Sequence, residues 1–207
     1  MIKPIHILFT CLIVLAFFLL SCNSDYSVGK KKGYFKIDFP EKEYQAFNQA
    51  GYPYTFEYPA YATVTKDSMF FDDKAEDWWI NIDIPRFNGR IHVSYKAINQ
   101  QNKFDSLVND AYKMATKQHI TISSGITDSV MQTPNGVGGM YYELGGNTAT
   151  ANQFFLTDTT KHFLRGALYF DAAPNADSLG IVNDFLKKDL QHLINTLKWS
   201  DKAPSEK

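Results

Sequence analysis

Basic and aromatic side chains at the two ends of one predicted β-hairpin have the residue types best suited to molecular recognition. Arginine presents a planar fork of hydrogen-bond donors and tryptophan a large surface, so these two residues often carry the binding energy of protein interfaces. The alternative is a solvated sheet edge whose charges prevent aggregation. The predicted interaction surface consists of Trp78, Trp79, Arg86, Asn88, Arg90 and His92 in this hairpin, with Arg165 from a second hairpin.

The same polar groups permit a hypothesis from another functional class. In it, His92 and Arg165 line a cleft between the sheet and a helix, and the protein is a periplasmic ligand-binding or hydrolytic domain. A deep pocket with convergent polar groups favours this alternative, whereas a shallow aromatic and basic surface favours the interaction hypothesis.

Known catalytic and phosphate-binding motifs are absent from the sequence. It contains no HExxH, no paired CxxC, no GxSxG and no GxxxxGK[ST] motif. The glycine-rich stretch 135–139 lacks the flanking strand and helix of a phosphate loop and is predicted to be a turn. The spacing of His92, His119, His162 and His192 does not bring them together with a carboxylate. We therefore predict no enzymatic activity, no catalytic residues, no metal and no cofactor.

The N-terminus has the pattern of a bacterial lipoprotein signal peptide. A positive start precedes an uninterrupted apolar run from Ile7 to Leu20, which has secretory length and is too short for a comfortable membrane span. The following Ser21-Cys22 completes a sequence that resembles a lipobox, which implies cleavage before Cys22 and acylation of that cysteine. At about 0.8 kcal/mol per buried CH₂, two or three acyl chains anchor a protein essentially permanently. The alternatives are an ordinary signal peptide or a buried hydrophobic strand.

Composition predicts a single globular domain behind this anchor. Of the 207 residues, 44 % are hydrophobic and 21 % are charged, and the formal charge of -1 provides no field that attracts nucleic acid. Cys11 leaves with the signal peptide, so the mature chain has no cysteine partner for Cys22. The predicted order is a signal peptide over 1–21, the acylated cysteine and a flexible tether over 22–32, one domain over 33–200, and a disordered tail over 201–207.

The hairpin itself is predicted from apolar residues that alternate with polar ones on both sides of an Asn-Gly turn signal. A register that pairs Ile84 with Val93 and Ile82 with Tyr95 places all the apolar residues on one face. The hairpin is therefore expected to have one buried side and one polar side.

Pro85 constrains the loop of this hairpin because proline has no N–H to donate to a neighbouring strand. A four-residue loop over 87–90 places Pro85 in a non-hydrogen-bonded pair, so this loop is predicted rather than a two-residue turn. The outer neighbour of that strand should end before Pro85.

Further periodic segments predict an α+β domain with a mostly antiparallel sheet. Period-two alternation predicts a strand or extended arm near 33–39 and strands near 54–58, 60–65, 126–131, 137–144, 153–156 and 162–170. Two amphipathic helices follow from apolar residues at spacings of three and four, one capped by Asn102 and ending near His119, the other capped by Asp177 or Ser178. Trp199 should pack back on the sheet. Two helices packed on the sheet, one on each face, would bury the apolar stripe of each helix. The order of strands and helices along the chain is similar to the PsbP-like sandwich.

Several long stretches resemble one known family. They are GYFKIDFP, PYTFEYP, WINIDIPRFNGRIHVSYK, GGNTATANQFFLTDTTKHFLRGALYF and LINTLKW, and together they extend over nearly the whole mature chain. They resemble the GldD gliding-motility lipoproteins of Bacteroidota. The resemblance implies a membrane-anchored component needed for gliding and for the associated type IX secretion apparatus, with no known enzymatic activity and no catalytic residues to carry over.

The expected partners and location follow from this resemblance and from the anchor. The partners are the lipid bilayer, through acylated Cys22, and other gliding or secretion lipoproteins or outer-membrane proteins; no nucleic acid is expected, and the oligomeric state stays open. The residues after the cysteine, Asn23-Ser24-Asp25, lack the dense acidic run that resembles a surface-export signal. We therefore expect an outer-membrane protein that faces the periplasm.

A short triplet of Asp, then Ser or Thr, then an aliphatic residue, Met or Thr resembles the O-glycosylation acceptor of extracytoplasmic proteins in Bacteroidota. The alternative is ordinary turn and cap chemistry, in which Asp-Ser pairs are common. The candidate glycosylation sites are Ser68, Ser106, Ser129, Thr159 and Ser178.

Overall fold

The computed structural model describes residues 36–67, 77–117 and 119–200. The predicted signal peptide, the acylation site Cys22, the tether, the candidate glycosylation site Ser68 and the tail over 201–207 lie outside the described residues. The described residues from Asp38 onward form one compact unit.

Two antiparallel sheets and two helices make up the described residues. The larger sheet has the order β3-β4-β5-β9-β8-β7-β6, and the smaller has the order β1-β2-β10. The small sheet consists of β1 (Tyr44–Phe47), β2 (Tyr54–Pro59) and β10 (Lys198–Trp199). The large sheet consists of β3 (Thr63–Lys66), β4 (Ile80–Ile84), β5 (Gly89–Ala97), β6 (Ser123–Gln132), β7 (Gly138–Gly146), β8 (Asn152–Thr157) and β9 (His162–Phe170). The helices are α1 (Phe104–Thr116) and α2 (Ala176–Thr196), and the predicted α+β class is confirmed.

The central hairpin forms from β4 and β5, but the predicted register is wrong. Ile84 lies opposite Gly89 and Ile82 opposite Ile91, so the four-residue loop spans 85–88 rather than 87–90. Pro85 begins a 3₁₀ turn, a position where its missing N–H costs little, and Asn88 closes the loop with a φ of 47°. Because the loop keeps four residues, the apolar residues keep the predicted face. The outer neighbour β3 pairs with β4 no further than Asp83, so it ends before Pro85 as predicted.

The inner face of the large sheet is closed by α2 and the small sheet. The side chains on this inner face are almost fully buried. Leu186 of α2 lies against Gly89, and the ring of Tyr54 in β2 lies 5.8 Å from the ring of Tyr95 in β5. The Trp199 ring stacks on His162 at 4.9 Å, which confirms that this tryptophan packs back on the sheet. The buried residues of this face include Ile80, Ile82, Ile84, Ile91, Val93, Tyr95, Leu164 and Leu168.

Of the described elements, α1 covers part of the outer face of the large sheet. The apolar stripe of the helix packs over β7, β8 and the start of β9, and the remaining outer face, over β4, β5 and the end of β9, carries mainly polar side chains. The two helices therefore lie on opposite faces, as predicted. The buried residues of this cluster are Leu107, Ala111, Ala115, Tyr142, Leu144, Phe155 and Phe163.

Both predicted helix caps are wrong by one to three residues. Helix α1 is capped at Lys103 without a side-chain hydrogen bond, and the N–H of Asn102 instead donates to Asn99 Oδ1 in the preceding turn. Helix α2 is capped by Asn175, whose Oδ1 accepts the N–H of Ser178 at 3.1 Å. Asn175 has the extended backbone that an N-cap needs, whereas the predicted cap Asp177 lies within the first turn.

Candidate interaction surface

Strand alternation and cross-strand register place the predicted polar residues on the outer face. Asp83 in β4 lies opposite Arg90 in β5, which lies opposite Tyr169 in β9. One pair further along, Asn81 lies opposite His92. Since side chains two residues apart share a face, these cross-strand rows build one continuous polar surface.

The tip of the hairpin is held against the rest of the domain by backbone and aromatic contacts. The Arg86 guanidinium donates to the Asp38 carbonyl at 2.5 Å, and the Asn88 carbonyl accepts the Asp171 N–H at 2.8 Å. The Phe87 ring lies 5.6 Å from the rings of both Phe39 and Phe185. The exposed Arg86 and Asn88 side chains are therefore presented from a fixed loop.

Arg90 and His92 border an open depression on the outer face. Arg90 Nε pairs with Asp83 Oδ1 at 2.5 Å, and its side chain is 49 % exposed. The His92 ring meets Tyr169 edge to face at 5.5 Å. With Asn88 at the rim, these residues line a depression of about 630 Å³.

His92 is held toward its neutral form. Burial lowers the pKa of its imidazole, and the nearby Arg90 charge lowers that pKa further, while Asp67 and Asp83 act in the opposite direction. A neutral imidazole at neutral pH offers one donor and one acceptor instead of a second positive charge beside Arg90.

Arg165 lies deeper on the same face. Its guanidinium donates to Gln153 Oε1 and interacts with the Tyr169 hydroxyl. Burial lowers the pKa of this guanidinium. Within the described residues, the groups facing it are neutral, including Tyr142, and no carboxylate pairs with it. The sequence analysis identified Arg165 but not Gln153, which becomes a candidate only once the β8–β9 register is known.

Trp78 and Trp79 lie at the other end of β4, away from the tip. Their indole N–H groups donate to the carbonyls of Gly51 at 2.9 Å and Tyr95 at 2.8 Å. The Trp78 carbonyl also accepts the Tyr54 hydroxyl at 2.5 Å. The structure thus brings Arg90, His92 and Arg165 together. It places Trp78 in contacts that join the two sheets and Trp79 in a contact with β5 of the large sheet.

A buried charge cluster between α2 and the start of the domain was missed by the sequence analysis. Asp189 is 1 % exposed, and its carboxylate accepts hydrogen bonds from Lys42 Nζ at 2.6 Å, from Tyr44 at 3.0 Å and from the Tyr61 hydroxyl. The Lys42 ammonium also lies 3.3 Å from the centre of the Phe185 ring. Burial, with the nearby Asp189 charge, raises the pKa of Tyr44 to about 12, so the phenol stays a donor. This cluster fastens α2 to β1 and the segment before it.

Comparison with known proteins places the chain in a family. A sequence model described as gliding motility lipoprotein GldD matches residues 24–199. The chain belongs to the GldD family. No curated protein matches it. The solution structure of cyanobacterial PsbP (CyanoP) from Synechocystis sp. PCC 6803 is similar, with 12 % sequence identity, coverage of 83 % of this chain and 99 % of that chain, and a TM-score of 0.45.

Membership of the GldD family marks the protein as a gliding motility lipoprotein, hence a membrane-anchored protein of the cell envelope. In the described ranges, neither helix combines the length and the apolar character needed to cross a bilayer. The same ranges contain no group of three His, Cys, Asp or Glu residues placed to hold a metal ion.

Four of the candidate glycosylation sites of this GldD-family chain lie among the described residues. Ser106, Ser129, Thr159 and Ser178 are all exposed. The hydroxyls of Thr159 and Ser178 already donate to nearby backbone carbonyls, at 2.6 and 3.4 Å. Exposure is compatible with modification, and turn and cap chemistry accounts for two of the sites, so glycosylation stays a prediction that mass spectrometry for added hexoses would test.

Proposed function

We propose that the protein is a non-catalytic component of the gliding-motility and type IX secretion machinery, which acts through protein–protein contacts. The family match over residues 24–199 carries this proposal, because it extends over almost the whole described domain. Acylated Cys22 anchors the domain to the outer membrane, and the domain faces the periplasm. Its partners are other motility or secretion lipoproteins or outer-membrane proteins.

The contact surface in this proposal is the hairpin tip with the adjacent part of the outer face. Arg86 presents an exposed guanidinium group from a loop that is pinned at Asp38 and Asp171, and Arg90 presents one from the start of β5. A fixed loop loses little conformational entropy on binding, and arginine forks suit carboxylates on a partner. The indole N–H groups of Trp78 and Trp79 are used within the domain, so these residues support the surface by holding β4 in place.

Charge reversal at the tip tests this surface. In membranes that contain the acylated full-length protein, the double variant Arg86→Glu and Arg90→Glu should lose the crosslinked and co-purified partners that the natural sequence recovers. Like charges across a contact cost binding free energy and slow association. The matched control is Lys113→Glu, a cation on α1 with comparable exposure, 45 %.

Partner recovery by the control should equal that of the natural protein. Unchanged recovery by the tip variant, with an unchanged thermal midpoint, would contradict the proposed surface. The anchor is tested separately with Cys22→Ser, which should release the protein from the membrane fraction because the acyl chains supply the attachment.

A further inference from the structure

Arg165 carries a positive charge that the described residues leave without a counter-charge. The guanidinium is held by the Gln153 amide oxygen and the Tyr169 hydroxyl, both neutral acceptors. Taking a cation out of water without an anionic partner costs free energy, so buried arginines in proteins are usually paired with carboxylates. Arg90, the neighbouring cation, has such a partner in Asp83. Arg165 is therefore a costly residue for the folded domain.

Two polar groups near Arg165 also have unused hydrogen-bonding capacity. Gln153 is 1 % exposed, and its Nε2 donates to nothing in the structure. His119, which follows α1, is 6 % exposed, and its Nδ1 has no partner. The Arg165 charge and burial lower the pKa of His119, so its imidazole is neutral and one of its nitrogens carries a proton. A buried donor without an acceptor costs about 1–3 kcal/mol, which makes this combination unusual for a purely structural site.

Arg165 keeps part of its surface exposed, and two depressions are lined by residues that adjoin it. His92 and Tyr169, which adjoin Arg165, line the depression of about 630 Å³ at the hairpin. Tyr142, on the other side, lines a depression of about 390 Å³ beside α1. Because Arg165 is only partly buried, a ligand can reach its side chain from the outer face.

We propose that Arg165 and Gln153 form a binding site for a carboxylate group on the outer face of the large sheet. The carboxylate accepts hydrogen bonds from the guanidinium fork and from Gln153 Nε2. A carboxylate fits better than a phosphate dianion, because the site offers one unpaired cation and the other nearby one is neutralised by Asp83. This site gives the ligand-binding alternative a specific form, and it does not depend on the contact surface at the hairpin tip.

The carboxylate has two possible sources, a small organic acid or the end or acidic side chain of a protein. They are distinguished by NMR titration of the acylated full-length protein in detergent micelles, with the Gln153 side-chain amide as the probe. One arm uses acetate and succinate. The other uses a short neutral peptide with a free C-terminal carboxylate, against the same peptide amidated at its C-terminus.

The proposal predicts saturable shifts of the Gln153 amide with at least one carboxylate and none with the amidated peptide. Arg165→Gln should weaken binding by about tenfold or more, since a charge-assisted hydrogen bond contributes about 1.5–3 kcal/mol. Arg165→Lys should bind more weakly than the natural protein because it keeps the charge and loses the fork. The control Lys113→Gln removes an exposed cation on α1 that lies outside the site, so its affinity should change by less than about twofold.

Stability separates a binding residue from a structural one. Without ligand, Arg165→Gln should keep or raise the midpoint of urea unfolding because it removes an uncompensated charge. A lowered midpoint with no change in carboxylate affinity would overturn the proposal. So would equal losses of affinity in Arg165→Gln and Lys113→Gln, which indicate diffuse attraction only. Binding that appears only after Asp72 and Asp73, in the undescribed segment, are changed to Asn would also overturn it, because the chain would then supply its own carboxylate.

Discussion

Asn152 and Gln153 are neighbours in β8, each 1 % exposed, yet they lie on opposite faces of the large sheet and differ in hydrogen bonding. On the inner face, Asn152 accepts the Tyr141 hydroxyl at 2.7 Å and donates to Asn183 at 2.7 Å. On the outer face, Gln153 leaves its amide N–H₂ without an acceptor. Two equally buried amides therefore differ in how many of their hydrogen-bonding groups have a partner.

The difference follows from what covers each face. The inner face meets α2 and the small sheet, which bring polar partners such as Asn183 to the groups that need them. Among the described residues, the outer face is covered by α1, whose buried residues Leu107, Ala111 and Ala115 are apolar. The inner face thus supplies polar partners, whereas the described part of the outer face leaves the Gln153 amide without an acceptor.

The largest effect is expected in the inner layer, at Asp189. Asp189→Asn should lower the free energy of unfolding by about 3–5 kcal/mol, because the Lys42 ammonium would lose its buried counter-charge. Urea denaturation would measure this. The control Asp184→Asn changes an exposed carboxylate on the same helix and should stay within about 0.5 kcal/mol. If both variants lose the same small amount of unfolding free energy, the cluster does not fasten α2.

Gly166 should give the next largest effect because an aromatic ring occupies the space of its missing side chain. A Cβ at this position would lie 2.3 Å from the Phe154 ring. Gly166→Ala should destabilise the domain by about 1–3 kcal/mol through overpacking of the inner face. The control Gly138→Ala meets its nearest atom at 3.5 Å, an ordinary contact. If calorimetry gives the two variants the same midpoint, the inner face is less tightly packed than the structure indicates.

Asparagine replacements test the two faces against each other. Asn152→Leu should cost about 1–3 kcal/mol, since it leaves the buried Tyr141 hydroxyl without its acceptor. Asn81→Leu on the outer face removes a carbonyl oxygen that already lacks a partner, so it should be neutral or stabilising. Chemical denaturation of both variants measures the difference. A loss for Asn81→Leu as large as that for Asn152→Leu would contradict the contrast between the faces.

The smallest expected effect is a pH dependence from His92. Its folded-state pKa lies below the unfolded value, so the unfolded chain binds the proton more tightly. Its contribution to stability is fully present above about pH 6.5 and is lost as the pH falls from there toward the lowered folded pKa. His92→Gln should lose less stability over this interval than the natural protein. His119, whose pKa is also lowered, gives a second variant with the same sign.

Much of the fold was predictable because local patterns report local structure. The isoleucines of β4 and the valine and tyrosine of β5 alternate, and this alternation indicated the buried face correctly even though the register was shifted. Loops over 85–88 and 87–90 give the same faces, so the local pattern could not distinguish them. In the structure, β5 also pairs with β9 along its whole length, from Gly89 opposite Phe170 to Ala97 opposite His162. This pairing joins residues that are distant in sequence, so the local pattern does not report it. Strand β1 was missed because its four residues alternate only weakly.

The candidate surface divides in the same way. The residue types at the hairpin tip and in the second hairpin identified Arg90, His92 and Arg165 as recognition groups, and the extended stretches identified the family. That Trp78 and Trp79 use their N–H groups inside the domain depended on Gly51 and Tyr95, which are distant in sequence. Residue chemistry and strand parity were determined by the sequence alone, because both are properties of neighbouring residues. Which donors meet, and which of them find an acceptor, was decided only by the tertiary structure, because strand register and helix coverage bring distant residues to one place.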